Sequence, residues 1–187
     1  MRQPLSQRFG TSETIHSMND LYETPAEATL ELLKVEDLVP VIWEPACGLG
    51  SISKVFEKKD FVVISTDLYN YGYGKPGIDF LKEQNNPLPN TLIDIVTNPP
   101  YSLMLEFCEQ AVKLMTSKVC MFLRLDFLAS KGRRHFLESS PLARVHIFSG
   151  RIRVKTPTIE KGRAGVNYAW FVWEKGYKGK PQIDWVY

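Results

Sequence analysis

The sequence has little sulfur or imidazole chemistry to offer. Its three cysteines, Cys47, Cys108 and Cys120, lie far apart, and no C-x-x-C pair or Cys/His ligand spacing occurs among them and the three histidines. This argues against a disulfide framework and against a metal centre, and it favours a reducing compartment. No apolar run is long enough to span a bilayer, so no membrane partner is expected. The first 20 residues, MRQPLSQRFGTSETIHSMND, lack the apolar stretch of a secretory signal. The expected location is therefore cytoplasmic. Repeats, low-complexity blocks and linker-like stretches are also missing, so one domain over 21–187, preceded by a polar arm at 1–20, is the economical organisation.

What is present suits a globular enzyme of ordinary size. The 187 residues, 44% hydrophobic and 24% charged, can bury one core without staples. Charge is unevenly spread. Residues 1–130 carry 11 Lys/Arg against 17 Asp/Glu, and residues 131–187 carry 12 against 4. A basic last third is the footprint of a polyanion-binding surface, though it also serves solubility alone.

Helical and strand-like periodicities alternate along the chain. Thr24-Pro25-Ala26-Glu27 reads as a capping box opening a helix through Val35. Strands are predicted at 39–43, 61–65, 92–96, 118–125, 144–148 and 168–173, and further helices at 51–58, 103–115 and 131–138. The early strands are nearly continuous apolar runs, as when helices cover both faces of a sheet. The expected fold is α/β, a Rossmann-like, doubly wound and mostly parallel sheet. Such sheets bind ligands beyond the carboxyl ends of their strands.

Chemistry-bearing residues fall at those ends. After the first strand comes Glu44-Pro45-Ala46-Cys47-Gly48-Leu49-Gly50. Gly48 and Gly50 let the backbone approach a ligand, or simply make a tight turn. Glu44 would repel a pyrophosphate but attract an ammonium, which favours S-adenosylmethionine over a dinucleotide. Asp67, followed by Leu68, ends the second strand, where a carboxylate can accept from both ribose hydroxyls. Asp79-Phe80 could receive an adenine amino group and pack on its face, or cap a helix and fill the core. After the third strand comes Asn98-Pro99-Pro100-Tyr101. The prolines stiffen this loop. The Asn98 side-chain oxygen and the Pro99 carbonyl can then bind the two N–H groups of a ring-conjugated amine, drawing its lone pair out of the ring and toward a methyl donor. Tyr101 offers a flat face. The same four residues also suit a plain turn with a surface tyrosine.

In this order the pieces resemble the DNA adenine-N6 methyltransferases, particularly small phage- and prophage-type members. Glu44 to Gly50 is similar to their cofactor loop and Asn98 to Tyr101 to their catalytic loop. Tyr22-Glu23-Thr24-Pro25 is similar to the motif ahead of the cofactor loop, where the Thr contacts the methionine end of the cofactor. Asn167 to Trp173 is similar to their closing strand. The resemblance implies the class I methyltransferase fold, S-adenosylmethionine as cofactor, and catalysis by Asn98, Pro99, Pro100 and Tyr101. It implies cofactor contacts from Thr24, Pro25, Glu44, Ala46, Gly48, Gly50, Asp67, Leu68, Asp79 and Phe80. The substrate would be adenine in DNA, flipped out of the helix, with phosphates held by Arg151, Arg153, Lys155, Lys161 and Arg163. A phage-encoded chain would act in the host cytoplasm. The sequence departs from many members in lacking length after Trp173 for a separate target-recognition domain.

Three other functions share these features. RNA adenine poses the same chemical problem, and so does a protein glutamine amide, although the latter enzymes usually carry an extra N-terminal helical domain. A cofactor-binding module without turnover would keep the fold, but all four residues of the catalytic loop are intact.

Overall fold

A computed structural model describes residues 20–155 and 166–187. In chain order these form α1 (Ala26–Val35), β1 (Val41–Glu44), α2 (Ser53–Glu57), β2 (Val62–Ser65), β3 (Asp94–Thr97), α3 (Met104–Leu114), β4 (Lys118–Arg124), α4 (Arg134–Ser139), β5 (Leu142–Phe148), β6 (Tyr168–Glu174) and β7 (Gln182–Val186). Short 3-10 turns lie at Phe80–Lys82, Tyr101–Leu103 and Leu125–Leu128. All seven strands join one sheet in the order β2-β1-β3-β4-β6-β5-β7. Only β6 runs against the others, inserted between β4 and β5.

Alternation along the central strands builds a core on each face of this sheet. In β4, Val119, Met121 and Leu123 join one cluster with Phe107, Cys108 and Ala111 of α3. Cys120 and Phe122 join the other with Ala28 and Leu32 of α1 and Ile52 and Phe56 of α2. Strand β6 divides the same way, Phe171 and Trp173 to one side and Trp170 and Val172 to the other. Buried indoles need an acceptor. Trp170 donates to the Ala28 carbonyl at 2.8 Å and Trp43 to the Thr66 hydroxyl at 3.0 Å. Glu36, just past α1, is buried and accepts from Lys118 at 2.8 Å, His146 at 2.9 Å and Arg144. Burial alone would raise its pKa, but hydrogen bonds from His146, Arg144 and Lys118 hold it at about 2. The carboxylate thus ties α1 to β4 and β5.

The expected α/β sheet is present, with several local corrections. Thr24 is no helix cap: Pro25 takes the N-cap position and no side chain caps α1. The strand predicted at 92–96 starts later, because the Asp94 carboxylate accepts from Val39 and Lys118 main-chain N–H groups, both at 2.7 Å, while Leu92 is 61% exposed. Strand β2 is an edge strand, with Val62 exposed, rather than a buried one. Strand β7 was not predicted: only Val186 of its residues is buried, so it lacks a core-facing pattern and forms by pairing with β5. No helix among the described residues is long and apolar enough to cross a membrane. The arm at 1–19 and the basic positions Lys161 and Arg163 lie outside the described residues.

Candidate active site

Strands β1, β2 and β3 run parallel and end side by side at Glu44, Ser65 and Thr97. A cavity of about 320 Å³ opens beyond them. Its walls come from the turn after β1, the loop after β2, residues 78–81, the loop after β3, and the segment 20–24.

The turn after β1 needs its glycines. Gly48 has φ +52° and Gly50 φ +76°, a region costly for side-chain-bearing residues. A Cβ on Gly50 would stand 2.4 Å from the Tyr73 ring, and one on Gly48 would stand 2.7 Å from Leu21. The close approach at both positions is therefore to the protein's own side chains. Two carboxylates hold the turn in place. Glu44 accepts the Ser53 main-chain N–H at 2.8 Å and also the Ser53 hydroxyl. Asp67 accepts the Gly48 N–H at 2.9 Å through one oxygen and the Tyr69 N–H at 2.9 Å through the other. The Leu68 N–H also hydrogen-bonds to Asp67, and the acceptor capacity that the carboxylate has left is available to a ligand hydroxyl.

Glu44 and Asp67 are 2% and 7% exposed, and no ion pair reaches either among the described residues. Burial raises both pKa values, that of Glu44 to about 8, with Asp67 adding repulsion to Glu44. Such a pair suits a cationic ligand. It also sets a pH dependence. The unfolded Glu44 carboxyl releases its proton near 4.5, whereas the folded one keeps it to about 8. Glu44's contribution is therefore fully present below pH 4.5 and is lost as pH climbs toward 8. Scanning calorimetry at pH 5 and pH 8 should show a Tm several degrees lower at the higher pH. Glu44→Gln should flatten much of that difference.

The loop after β3 presents its polar groups at the cavity edge. The Asn98 amide nitrogen donates to the Tyr22 carbonyl at 3.0 Å. Its side-chain oxygen is buried and has no hydrogen-bond partner. Thr24 on the facing segment is 3% exposed, and its hydroxyl is likewise unpartnered. Buried polar atoms are rarely left so, and both are acceptors or donors for a ligand. Tyr101 sits beneath Tyr22, and its hydroxyl donates to that of Tyr168 at 3.0 Å.

Thr24, Glu44, Ala46, Gly48, Asp67, Leu68, Asp79, Phe80, Asn98 and Pro100 all line the cavity. Pro25, Gly50, Pro99 and Tyr101 are not among its lining residues. Asp79 accepts from the Leu81 N–H at 3.2 Å and pairs with Lys82 at 2.9 Å, so it caps a 3-10 turn. Phe80 packs edge-on to Trp43 at 5.2 Å. These two positions thus realise the cap-and-core arrangement while facing the cavity. Arg151, Arg153 and Lys155 are exposed and away from the lining. The Lys155 carbonyl accepts from the Glu23 N–H at 2.8 Å, which joins the basic segment to the cavity rim. Ser53 and Asp20 shape the site although neither belongs to a motif of the sequence, and Tyr22 and Tyr73 do so through contacts that their motifs do not show. Ser53 had a legible signal, a small polar residue entering the helix after the glycine turn. The others act across 16 to 82 residues of sequence.

The fold is that of the class I methyltransferases. Solved structures with this fold include a proposed RNA methyltransferase from Pyrococcus horikoshii, at 16% identity and TM-score 0.59, covering 84% of this chain and 88% of that one. An S-adenosylmethionine-dependent O-methyltransferase from Thermotoga maritima matches at 10% identity and TM-score 0.56, over 90% and 72%. A modification subunit of a proposed type I restriction enzyme from Vibrio vulnificus matches at 11% identity and TM-score 0.60, over 95% and 53%. No family model and no curated protein sequence matches the chain.

Proposed function

We propose that this chain transfers a methyl group from S-adenosylmethionine to the N6 amino group of adenine in DNA. The observation that carries the reading is the unpartnered Asn98 side-chain oxygen at the edge of a cavity lined by two buried carboxyl groups without an ion-pair partner among the described residues. The cavity's donor set fits the cofactor. A ligand bearing an ammonium and a sulfonium offsets the burial that holds the Glu44 proton to about pH 8, and so favours the ionised forms of both Glu44 and Asp67. Asp67 has free lone pairs for the ribose hydroxyls, and the buried Thr24 hydroxyl suits the methionine end. Bound there, the cofactor supplies an electrophilic methyl group. Asn98 accepts one N–H of the substrate amine and the Pro99 carbonyl the other, which localises the nitrogen lone pair. The rigid prolines fix both acceptors before substrate arrives, so little reorganisation remains to be done. Arg151, Arg153, Lys155, Lys161 and Arg163 hold phosphates, which makes binding fall steeply with salt. One domain over 21–187 does this, with rim loops choosing the target.

RNA adenine is the second reading, favoured by the fold's occurrence in a proposed RNA methyltransferase. Labelled S-adenosylmethionine, incubated separately with DNA, RNA and a protein extract, separates the readings. The proposal expects label in DNA. Label confined to RNA selects the second reading, and label confined to protein contradicts both.

A further inference from the structure

The segment 20–24 lies across the catalytic loop and is fastened to it. The Asp20 carboxylate accepts the main-chain N–H groups of Tyr101 and Ser102, both at 3.1 Å, and the Ser102 hydroxyl at 2.6 Å. Two residues on, the Tyr22 ring lies flat on the Tyr101 ring, with centroids 4.0 Å apart and planes 16° from parallel. The Tyr22 carbonyl meanwhile takes the Asn98 amide donor at 3.0 Å. Tyr101 also meets Tyr168, tilted by 37° with centroids 6.4 Å apart.

Stacked atoms sit about 3.5–4.0 Å apart, so no planar group enters between rings already at that spacing. A substrate base that stacked on this face of Tyr101 would need the volume Tyr22 now fills. The hydrogen-bonding pattern follows the same division. Tyr22 satisfies the Asn98 donor, yet the Asn98 oxygen is left without a partner. The segment thus covers the aromatic face while leaving vacant the Asn98 side-chain oxygen that an incoming amine would use.

We propose that residues 20–22 form a displaceable strap, latched by Asp20, in which Tyr22 stands in for the substrate base on Tyr101 and gives way when that base enters. The substrate half of this statement rests on the adenine-transfer reading. The latch does not. Stacking between aromatic rings is strong enough to exclude solvent from Tyr101 and weak enough for a second flat ring to replace it. Tyr22 is then a competitor of the substrate, not a wall of its pocket.

The test compares Tyr22→Ala, Tyr22→Phe and wild type, with a DNA oligonucleotide as methyl acceptor. Loss of the competing ring should lower the KM for DNA by about two- to twelve-fold, the worth of one aromatic pair. Tyr22→Phe keeps the ring and should match wild type. A raised KM in Tyr22→Ala would make Tyr22 part of the substrate pocket, and an unchanged KM would remove the competition; either overturns the proposal. If wild type labels neither DNA nor RNA, the functional reading fails while the strap is still read by amide hydrogen exchange. Asp20→Ala should then speed exchange at Tyr101 and Ser102 by tenfold or more, on the order of one charge-assisted hydrogen bond. Wild-type exchange rates in that variant overturn the strap.

Discussion

Asn98→Ala is expected to cut kcat by about 10²–10³-fold or more while leaving cofactor affinity within a few-fold of wild type, since removing one preorganised polar group from a reacting centre costs that much. The substrate amine is a poor nucleophile because its lone pair is shared with the ring. Asn98 is the residue whose unpartnered buried oxygen can accept one of its N–H groups. Alanine removes that acceptor and also frees the Tyr22 carbonyl that the Asn98 amide now engages. Neither loss touches Glu44 or Asp67, so the cofactor end of the cavity is left intact. Isothermal titration with cofactor and single-turnover transfer with DNA separate the two effects. A large loss of cofactor affinity would mean that Asn98 serves the cofactor and that its catalytic role is misassigned.

Asp67→Ala should show the opposite pattern. Cofactor Kd should rise about 10- to 100-fold, the range for losing hydrogen bonds to a charged group. Two causes combine. The free lone pairs for the ribose hydroxyls vanish, and so does the clamp that joins Gly48 to Tyr69 across the cavity. At saturating cofactor the transfer rate should recover to within a few-fold of wild type. An unaltered Kd in equilibrium titration would defeat the ribose role.

The frame of the fold was legible because its central strands are buried on both faces. Runs such as Val119 to Leu123 and Tyr168 to Trp173 leave no other way to hide so much apolar surface, and the helices between β1 and β2 and between β3 and β4 allow parallel crossovers there, whereas β6 runs antiparallel. The edges were not legible in the same way. Strand β7 has a single buried residue and owes its existence to a partner strand, and β3 is displaced by Asp94, whose carboxylate is occupied by groups from β4 and the approach to β1. The turn after β1 could be read from Glu44, Gly48 and Asp67 because each sits at or just beyond the end of a strand. What could not be read is how these groups use one another. Asp67 grips the Gly48 amide, and Gly50 leaves room for Tyr73 rather than for a ligand. The least legible feature was the cover over the loop after β3. Asp20 and Tyr22 meet Tyr101 and Ser102 only because the fold brings the segment before α1 against the end of β3, and nothing local in either stretch records it.

The central claim is the methylation of an exocyclic ring amine by the loop that begins at Asn98. Its most direct test is the identity of the methylated nucleoside. DNA treated with wild-type protein and S-adenosylmethionine is digested and resolved by mass spectrometry, with Asn98→Ala as control. N6-methyl-2′-deoxyadenosine with wild type, and little or none with Asn98→Ala, is the predicted result. Methyl on a carbon or a ribose oxygen, or equal yields from the two proteins, would contradict it.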